Sequence, residues 1–306
     1  MSLEFKSALK YRAQMMGKVR SFFHKKGVME VDTPLLFSYP SIDPHIDLFK
    51  TTQGDFLHSS PEYGMKYLLS QGSGDIYQLS HVYRLGEESP LHHQEYTLIE
   101  WYRTHISQED FLDETLALLH LFLGKHSHQI LTYREAFLRY GSLDPFEISK
   151  TQLLEQAKVG NLHLSPAESL SSLLNMVWGC WVEPKLGESG ITFICDYPAD
   201  QAIFAQTKIK NHTEVAERFE AYYRGIEVSN GYHEVRTVEQ QYERFQNNHV
   251  QRVALGKKDL PLPTLPPSSL FHPLPDCYGN ALGFDRLVML GCGCTNIRDI
   301  LPISTF

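Results

Sequence analysis

Cysteine is scarce, with Cys180, Cys195, Cys277, Cys292 and Cys294 the five such residues among 306. An odd number in a chain of this length fits reduced thiols better than a disulfide framework. Cys277 and the Cys292-Gly293-Cys294 run lack a C-x-x-C pair or fitting histidines, so their spacing does not make a zinc site. Concentrated positive charge is missing too. The chain has 28 Lys and Arg against 36 Asp and Glu, a formal net charge of -8, and Lys25-Lys26 and Lys257-Lys258 are only pairs. A polyanion held by counterion release needs more than that. No apolar run approaches bilayer length, and Met1 to Lys6 lack the apolar centre of a secretory leader. A cytoplasmic protein with no membrane partner is therefore expected. Internal repeats and a regular βαβ rhythm are also absent, which argues against solenoids and doubly wound sheets.

What is present centres on one stretch. Residues 75–84 read as an apolar strand ending in Arg84; a polar loop with Gly86 and Pro90 follows, and a second strand returns from Tyr96. Alternation puts Tyr96, Leu98, Glu100 and Tyr102 on one face and Thr97, Ile99 and Trp101 on the other. A lone glutamate on a strand is as readily a solvated residue. A second stretch of the same design changes the balance, because residues 225–234 again align Asn230, Tyr232 and Glu234 on one face. Two such faces predict one lined pocket.

Apolar residues at three- and four-residue steps, from Ala8 through Met15 to Phe23, predict a helix over 5–26 stopped by Gly27. Residues 28–36 alternate as a strand whose Pro34 confines that end to an edge or subunit boundary. Ser60-Pro61 opens a short helix to Ser70, and Ser107 caps an apolar helix ending at Leu123. Residues 131–190 carry helical pattern with polar breaks, read as a helical insertion, roughly 140–190, in a single domain spanning 1–306. A short strand is expected over 191–195, a helix over 213–223, and a helix capped by Thr237 and stopped by Gly256. A Pro-rich loop over 261–275 precedes a glycine-bearing strand from Gly279, which runs into a helix with Arg286 in its first turn. The hairpins favour an α+β protein with a mainly antiparallel sheet flanked by helices.

In this order, residues 84–102 resemble motif 2 of the class II aminoacyl-tRNA synthetases, 279–290 motif 3 and 27–36 motif 1. The run Asn230-Gly231-Tyr232-His233-Glu234 is similar to the lysine-binding strand of lysyl-tRNA synthetases, and the similarity extends over almost the whole chain. The resemblance implies the catalytic fold of that class, with ATP and Mg2+ as cofactors. By position it would put Arg84 on the α-phosphate and the substrate carboxylate, His92 near the outer phosphates, Tyr96 against adenine, and Arg286 against the nucleotide. Glu220 and Glu227 would hold magnesium. Ser60, Glu62, Glu100, Tyr102, Asn230, Tyr232 and Glu234 would line the amino-acid pocket, with Ala281 standing where the synthetases have glycine. The residue types suit the chemistry. A carboxylate attacking a phosphate joins two anions, and guanidinium groups with magnesium offset their repulsion. A lysine-like substrate brings two ammonium groups, which Glu100 and Glu234 would pair.

One position departs from the pattern. The family has glutamate two residues after the motif 2 arginine, and Gly86 stands there with Glu87 following. Either Glu87 substitutes through a shifted loop, or one nucleotide contact is lost. Lysyl-tRNA synthetases also carry an N-terminal anticodon-binding barrel, whereas the first helix here is expected almost at Met1, so neither the barrel nor a tRNA acceptor is expected. Residues 59–66, 100–103 and 275–286 resemble the truncated lysyl-tRNA synthetase paralogues that attach (R)-β-lysine to a lysine of elongation factor P. That resemblance implies a β-lysyl adenylate, transfer to a protein ε-amine, and a homodimer through motif 1. A protein ligase using α-lysine and a non-catalytic regulatory subunit are the alternatives; the retained Arg84, Glu220, Glu227 and Arg286 oppose the second.

Overall fold

The computed structural model describes residues 5–262 and 271–302. The middle of the Pro-rich loop expected over 261–275 lies outside the described residues. The chain divides into two compact units, Met1–Lys125 with Gly231–Phe306, and His126–Asn230.

In the first unit, helix α1 (Phe5–Lys25) buries Ala8, Met15, Val19 and Phe23, the apolar stripe its spacing marks out. Gly27 ends it with φ of 71°, a left-handed conformation that costs glycine little. The strand expected over 28–36 shrinks to β1 (Met29–Glu30) and β2 (Leu36–Phe37), interrupted where Pro34 offers no N–H to a ladder. β2 pairs with β3 (Phe56–Leu57), and α2 (Glu62–Ser70) follows Ser60-Pro61, with Pro61 at the cap position expected for Ser60. The hairpin is present: β4 (Ile76–Tyr83) and β5 (Glu95–Thr104) run antiparallel, and β1 lies parallel to β4. Helix α3 (Gln108–Leu123) is capped by Ser107, whose side chain accepts from Asp110 N. Trp101 stands on the helical face of the sheet, its ring 5.7 Å from Phe23 and 5.6 Å from Phe111. The opposite face carries Glu100 and Tyr102, as alternation requires.

The second unit opens with β6 (His128–Thr132), α4 (Tyr133–Ala136) and a π-helical turn, Phe137–Gly141, and continues through α5 (Lys150–Val159) and α6 (Leu170–Val177). Tyr133 stacks on Trp178 at 4.7 Å within its core. β7 (Ile191–Pro198) is parallel to β6 and antiparallel to β9 (Thr213–Tyr223), against which β8 (Thr207–Lys210) also runs. β10 (Ile226–His233) lies beside β9. The helix expected over 213–223 is thus a strand. Ala216, Glu217 and Arg218 favour helix locally, but pairing along β7 overrides that preference. Because Phe219 through Tyr223 are all buried, the strand shows no alternation that would betray it.

The first unit resumes with α7 (Val238–Ala254), capped by Thr237, then β11 (Cys277–Gly283) and α8 (Phe284–Gly291). β11 is antiparallel to β5, with Gly279 opposite Tyr102 and Ala281 opposite Glu100. A methyl on Gly279 would lie 2.3 Å from Tyr102 Cε1 and 2.4 Å from Glu234 Oε1, so only glycine leaves room for both. Gly279→Ala is expected to destabilise the fold by about 1–3 kcal/mol, the usual cost of overpacking. A denaturant titration that returns wild-type stability would contradict this.

Candidate active site

Ladder register assembles the first half of the site. Gln78, Glu100 and Ala281 are direct cross-strand neighbours on β4, β5 and β11, as are Ile76, Tyr102 and Gly279 one step on. Each row therefore shares one face of the sheet. Glu100, 3% exposed, accepts hydrogen bonds from Ser60 Oγ at 2.5 Å and from the Tyr102 hydroxyl at 2.8 Å. Ser60 Oγ also accepts from Glu62 N at 3.1 Å, which fastens the start of α2 to the carboxylate on β5. One helical turn later, Lys66 reaches Glu62 at 2.6 Å and Glu234 at 2.7 Å. Glu234 N donates to Cys277 O at 3.0 Å, tying that residue to β11. Ser60, Glu62, Glu100, Tyr102 and Glu234 therefore form one cluster. Sequence reasoning missed Lys66, although its spacing of four from Glu62 on a helix was a usable signal.

Burial dominates the electrostatics of this cluster. It pushes the Glu100 carboxyl up to about 8, aided by negative Glu62 and opposed by the Ser60 and Tyr102 hydrogen bonds and by Lys66. Glu234 is pushed up to about 7, again by burial, with Lys66 opposing and Glu62 assisting. Burial alone would lower the Lys66 ammonium, but Glu234 and Glu62 more than reverse that and keep it charged. Tyr102 is raised well above its ordinary value by burial and the nearby carboxylates, so it remains a hydroxyl donor.

The motif 2 loop and α8 supply the second half. Arg84 lies 5.3 Å above the Tyr96 ring, and its guanidinium is 3.9 Å from Glu87. Gly86 has φ of 81° and donates its N–H to Gln94 Oε1 at 3.0 Å. Nothing would obstruct a side chain there, so backbone conformation, not space, selects glycine. The same turn leaves Glu87 on the side of the arginine. His92 Nε2 lies 2.6 Å from Arg286 Nη2, and its Nδ1 lies 2.8 Å from Ser89 Oγ. A guanidinium can only donate, so Nε2 accepts and the proton resides on Nδ1. Burial, then Arg286, then Arg84, lowers His92 to about 4, which keeps the ring neutral. Asp285 is not the partner of Arg286: it pairs with Arg12 at 2.9 Å and accepts from Thr97 N at 2.7 Å.

Tyr232 is half-buried on β10. Glu220, Glu227 and Asn230 belong to the second unit. Glu220 Oε2 accepts from the hydroxyls of Tyr197 and Tyr222, each at 2.5 Å, while Oε1 pairs with Arg218. Asn230 Oδ1 also accepts from Arg218, at 3.3 Å. Two glutamates are the hard oxygen donors magnesium prefers. In this arrangement, however, Arg218 competes for Glu220, and no group of three His, Cys, Asp or Glu suited to a metal occurs among the described residues.

Two outcomes follow from this geometry. Glu100 and Glu234 must be ionised to face ammonium groups, so a diammonium ligand is expected to expel protons on binding and to bind more weakly as pH falls from about 8 to about 6. Calorimetry in two buffers of different ionisation enthalpy measures this; zero proton exchange would contradict it. Gly86→Glu is expected to cost about 1–2 kcal/mol of stability through the left-handed backbone without tightening nucleotide binding, since Glu87 already faces Arg84. A thermal shift titrated with ATP checks both parts.

The chain matches the family model described as tRNA synthetases class II (D, K and N) over residues 1–305. It is 36% identical over 302 residues to a protein of Pasteurella multocida (strain Pm70) named elongation factor P (R)-beta-lysine ligase, with 96% of this chain and 93% of the relative covered. Proteins of the same name from Edwardsiella ictaluri (strain 93-146) and Salmonella typhi are 38% and 39% identical over 306 residues, at the same coverage. With the carboxylate cluster on the sheet face, the arginines of the motif 2 loop and α8, and similarity along nearly its full length, the chain belongs to the class II tRNA synthetase family.

Proposed function

We propose that the protein activates (R)-β-lysine with ATP as its adenylate and transfers the acyl group to the ε-amine of a lysine on elongation factor P. The observation that carries this reading is the cluster of buried Glu100 and Glu234 with half-buried Glu62, whose surplus of negative charge suits an amino acid with two ammonium groups. The names of the relatives point the same way.

In the proposed reaction the substrate carboxylate attacks the α-phosphorus of ATP, a P–O bond forms, and the bond to pyrophosphate breaks. Arg84 donates to the α-phosphate and the attacking carboxylate, offsetting their repulsion as charge gathers on the phosphorus oxygens. Tyr96, beneath Arg84, offers a ring face to adenine. Neutral His92 orients Arg286 toward the nucleotide. Glu100, Tyr102, Asn230, Tyr232 and Glu234 are assigned to the amino acid with Ser60 and Glu62. Ala281, opposite Glu100, adds a methyl to the pocket floor; one such group shifts preference between α- and β-amino acids by about 1–3 kcal/mol. The acceptor amine then attacks the acyl carbonyl and AMP leaves, a step for which positioning suffices. Magnesium would be held by Glu220 and Glu227 once Arg218 yields the first, and when bound it would draw charge from the phosphates. Exposed Met29, Leu35 and Leu36 on the motif 1 segment support a homodimer. The reading places the protein in the cytoplasm, without tRNA as acceptor.

Pyrophosphate exchange into ATP is expected to be stimulated more by (R)-β-lysine than by L-lysine. Mass spectrometry of elongation factor P after incubation is expected to show the matching mass gain. Reversed preference would assign α-lysine instead, and no exchange with any lysine isomer would make the chain a regulatory subunit.

A further inference from the structure

Within the cluster on the sheet face, one charged side chain has been given no part in the reaction. Lys66, 5% exposed, sits between Glu62 and Glu234 at 2.6 and 2.7 Å. With all three carboxylates ionised, as a bound diammonium ligand requires, this one ammonium leaves two negative charges, the number of ammonium groups on a diamino acid. Glu100 feels the charges of Glu62 and Lys66, while Glu234 feels those of Lys66, Glu62 and His233. His233 lies 2.8 Å from Asp276, so that pair contributes no net charge when the imidazole is protonated. Resting on the function proposed above, we propose that Lys66 is a positioning and specificity residue: its fixed ammonium neutralises one of the three clustered carboxylates and so sets the pocket to accept substrates with two ammonium groups.

The geometry distinguishes this from an ordinary helix-surface pair. Lys66 emerges from the second turn of α2, whose first residue is Glu62, and it also bridges to Glu234, which follows β10. Removal of the ammonium leaves buried carboxylates facing one another, and a proton or another cation must replace it. Ions paired in water at the rim of a site have no such effect on ligand charge.

Chemical rescue tests the idea. Lys66→Ala deletes the equivalent of n-propylamine, so the variant is expected to lose at least about tenfold in kcat/KM for (R)-β-lysine, with the KM for ATP unchanged. Added n-propylamine is expected to restore most of the loss, whereas n-propanol, of similar shape and no charge, is not. Lys66→Met, which keeps the hydrocarbon, is expected to show the same selective loss. Equal rescue by propanol, or a Lys66→Met protein with wild-type kcat/KM, would overturn the proposal. A Lys66→Met protein that does not fold assigns Lys66 to stability alone and overturns it as well. If the wild-type protein forms no adenylate, the proposed function fails by itself. The charge count is then read by calorimetry with 1,5-diaminopentane and n-pentylamine: the wild type is expected to prefer the diamine and Lys66→Met to lose that preference, and an unchanged preference counts against the role of Lys66.

Discussion

Neighbouring carboxylates can be withdrawn from water only where hydrogen bonds and a resident cation hold them, because an uncompensated buried charge costs several kcal/mol, roughly, even after relaxation. In this protein that constraint organises the first unit. Ser60 and Tyr102 satisfy Glu100, and Lys66 joins Glu62 to Glu234. These bonds link α2, β5 and the segment after β10, so the pieces of the chain that define the pocket also hold one another. The cluster remains charged enough to attract ammonium groups and dry enough that its protonation responds to them.

The nucleotide half obeys a different rule. Its groups are mostly cationic or aromatic, and in the structure they are held by one another: Arg84 over Tyr96 and near Glu87, Arg286 against His92. These contacts join guanidinium groups to a ring face, a carboxylate and an imidazole nitrogen. A phosphate chain can replace them because it offers the guanidinium groups better acceptors than an imidazole nitrogen or a ring face. The protein thus separates an anionic floor from a cationic wall.

How far the sequence revealed this differs from residue to residue. Glu100 and Tyr102 were legible because polar groups recur at every second position of β5 although both of its faces are buried, and Arg84 and Arg286 because ordered motifs surround them. Lys66 was not, since a lysine four residues from a glutamate on a helix is usually a solvated pair, and only tertiary structure brings Glu234 to its other side. The strand at Thr213–Tyr223 was hidden by residues that favour helix and by burial that leaves no period of two. Gly86 could be seen as a departure, but its meaning required a backbone angle. The strand in place of the expected helix also changes the setting of Glu220, which is enclosed by Tyr197, Tyr222 and Arg218 instead of facing solvent from a helix end.

The bond from Asp285 to Arg12 and to the backbone of Thr97 fixes the opening turn of α8 to both α1 and β5. The main chain beneath Arg286 is therefore anchored one residue away, while its guanidinium is bonded to His92 Nε2 at 2.6 Å. Exchange of the imidazole nitrogen for a ligand oxygen would then alter the side chain without tilting the helix. Geometric fidelity comes from dividing labour between neighbours: one acidic residue is the fixed hinge-pin, and the basic residue after it is the moving arm.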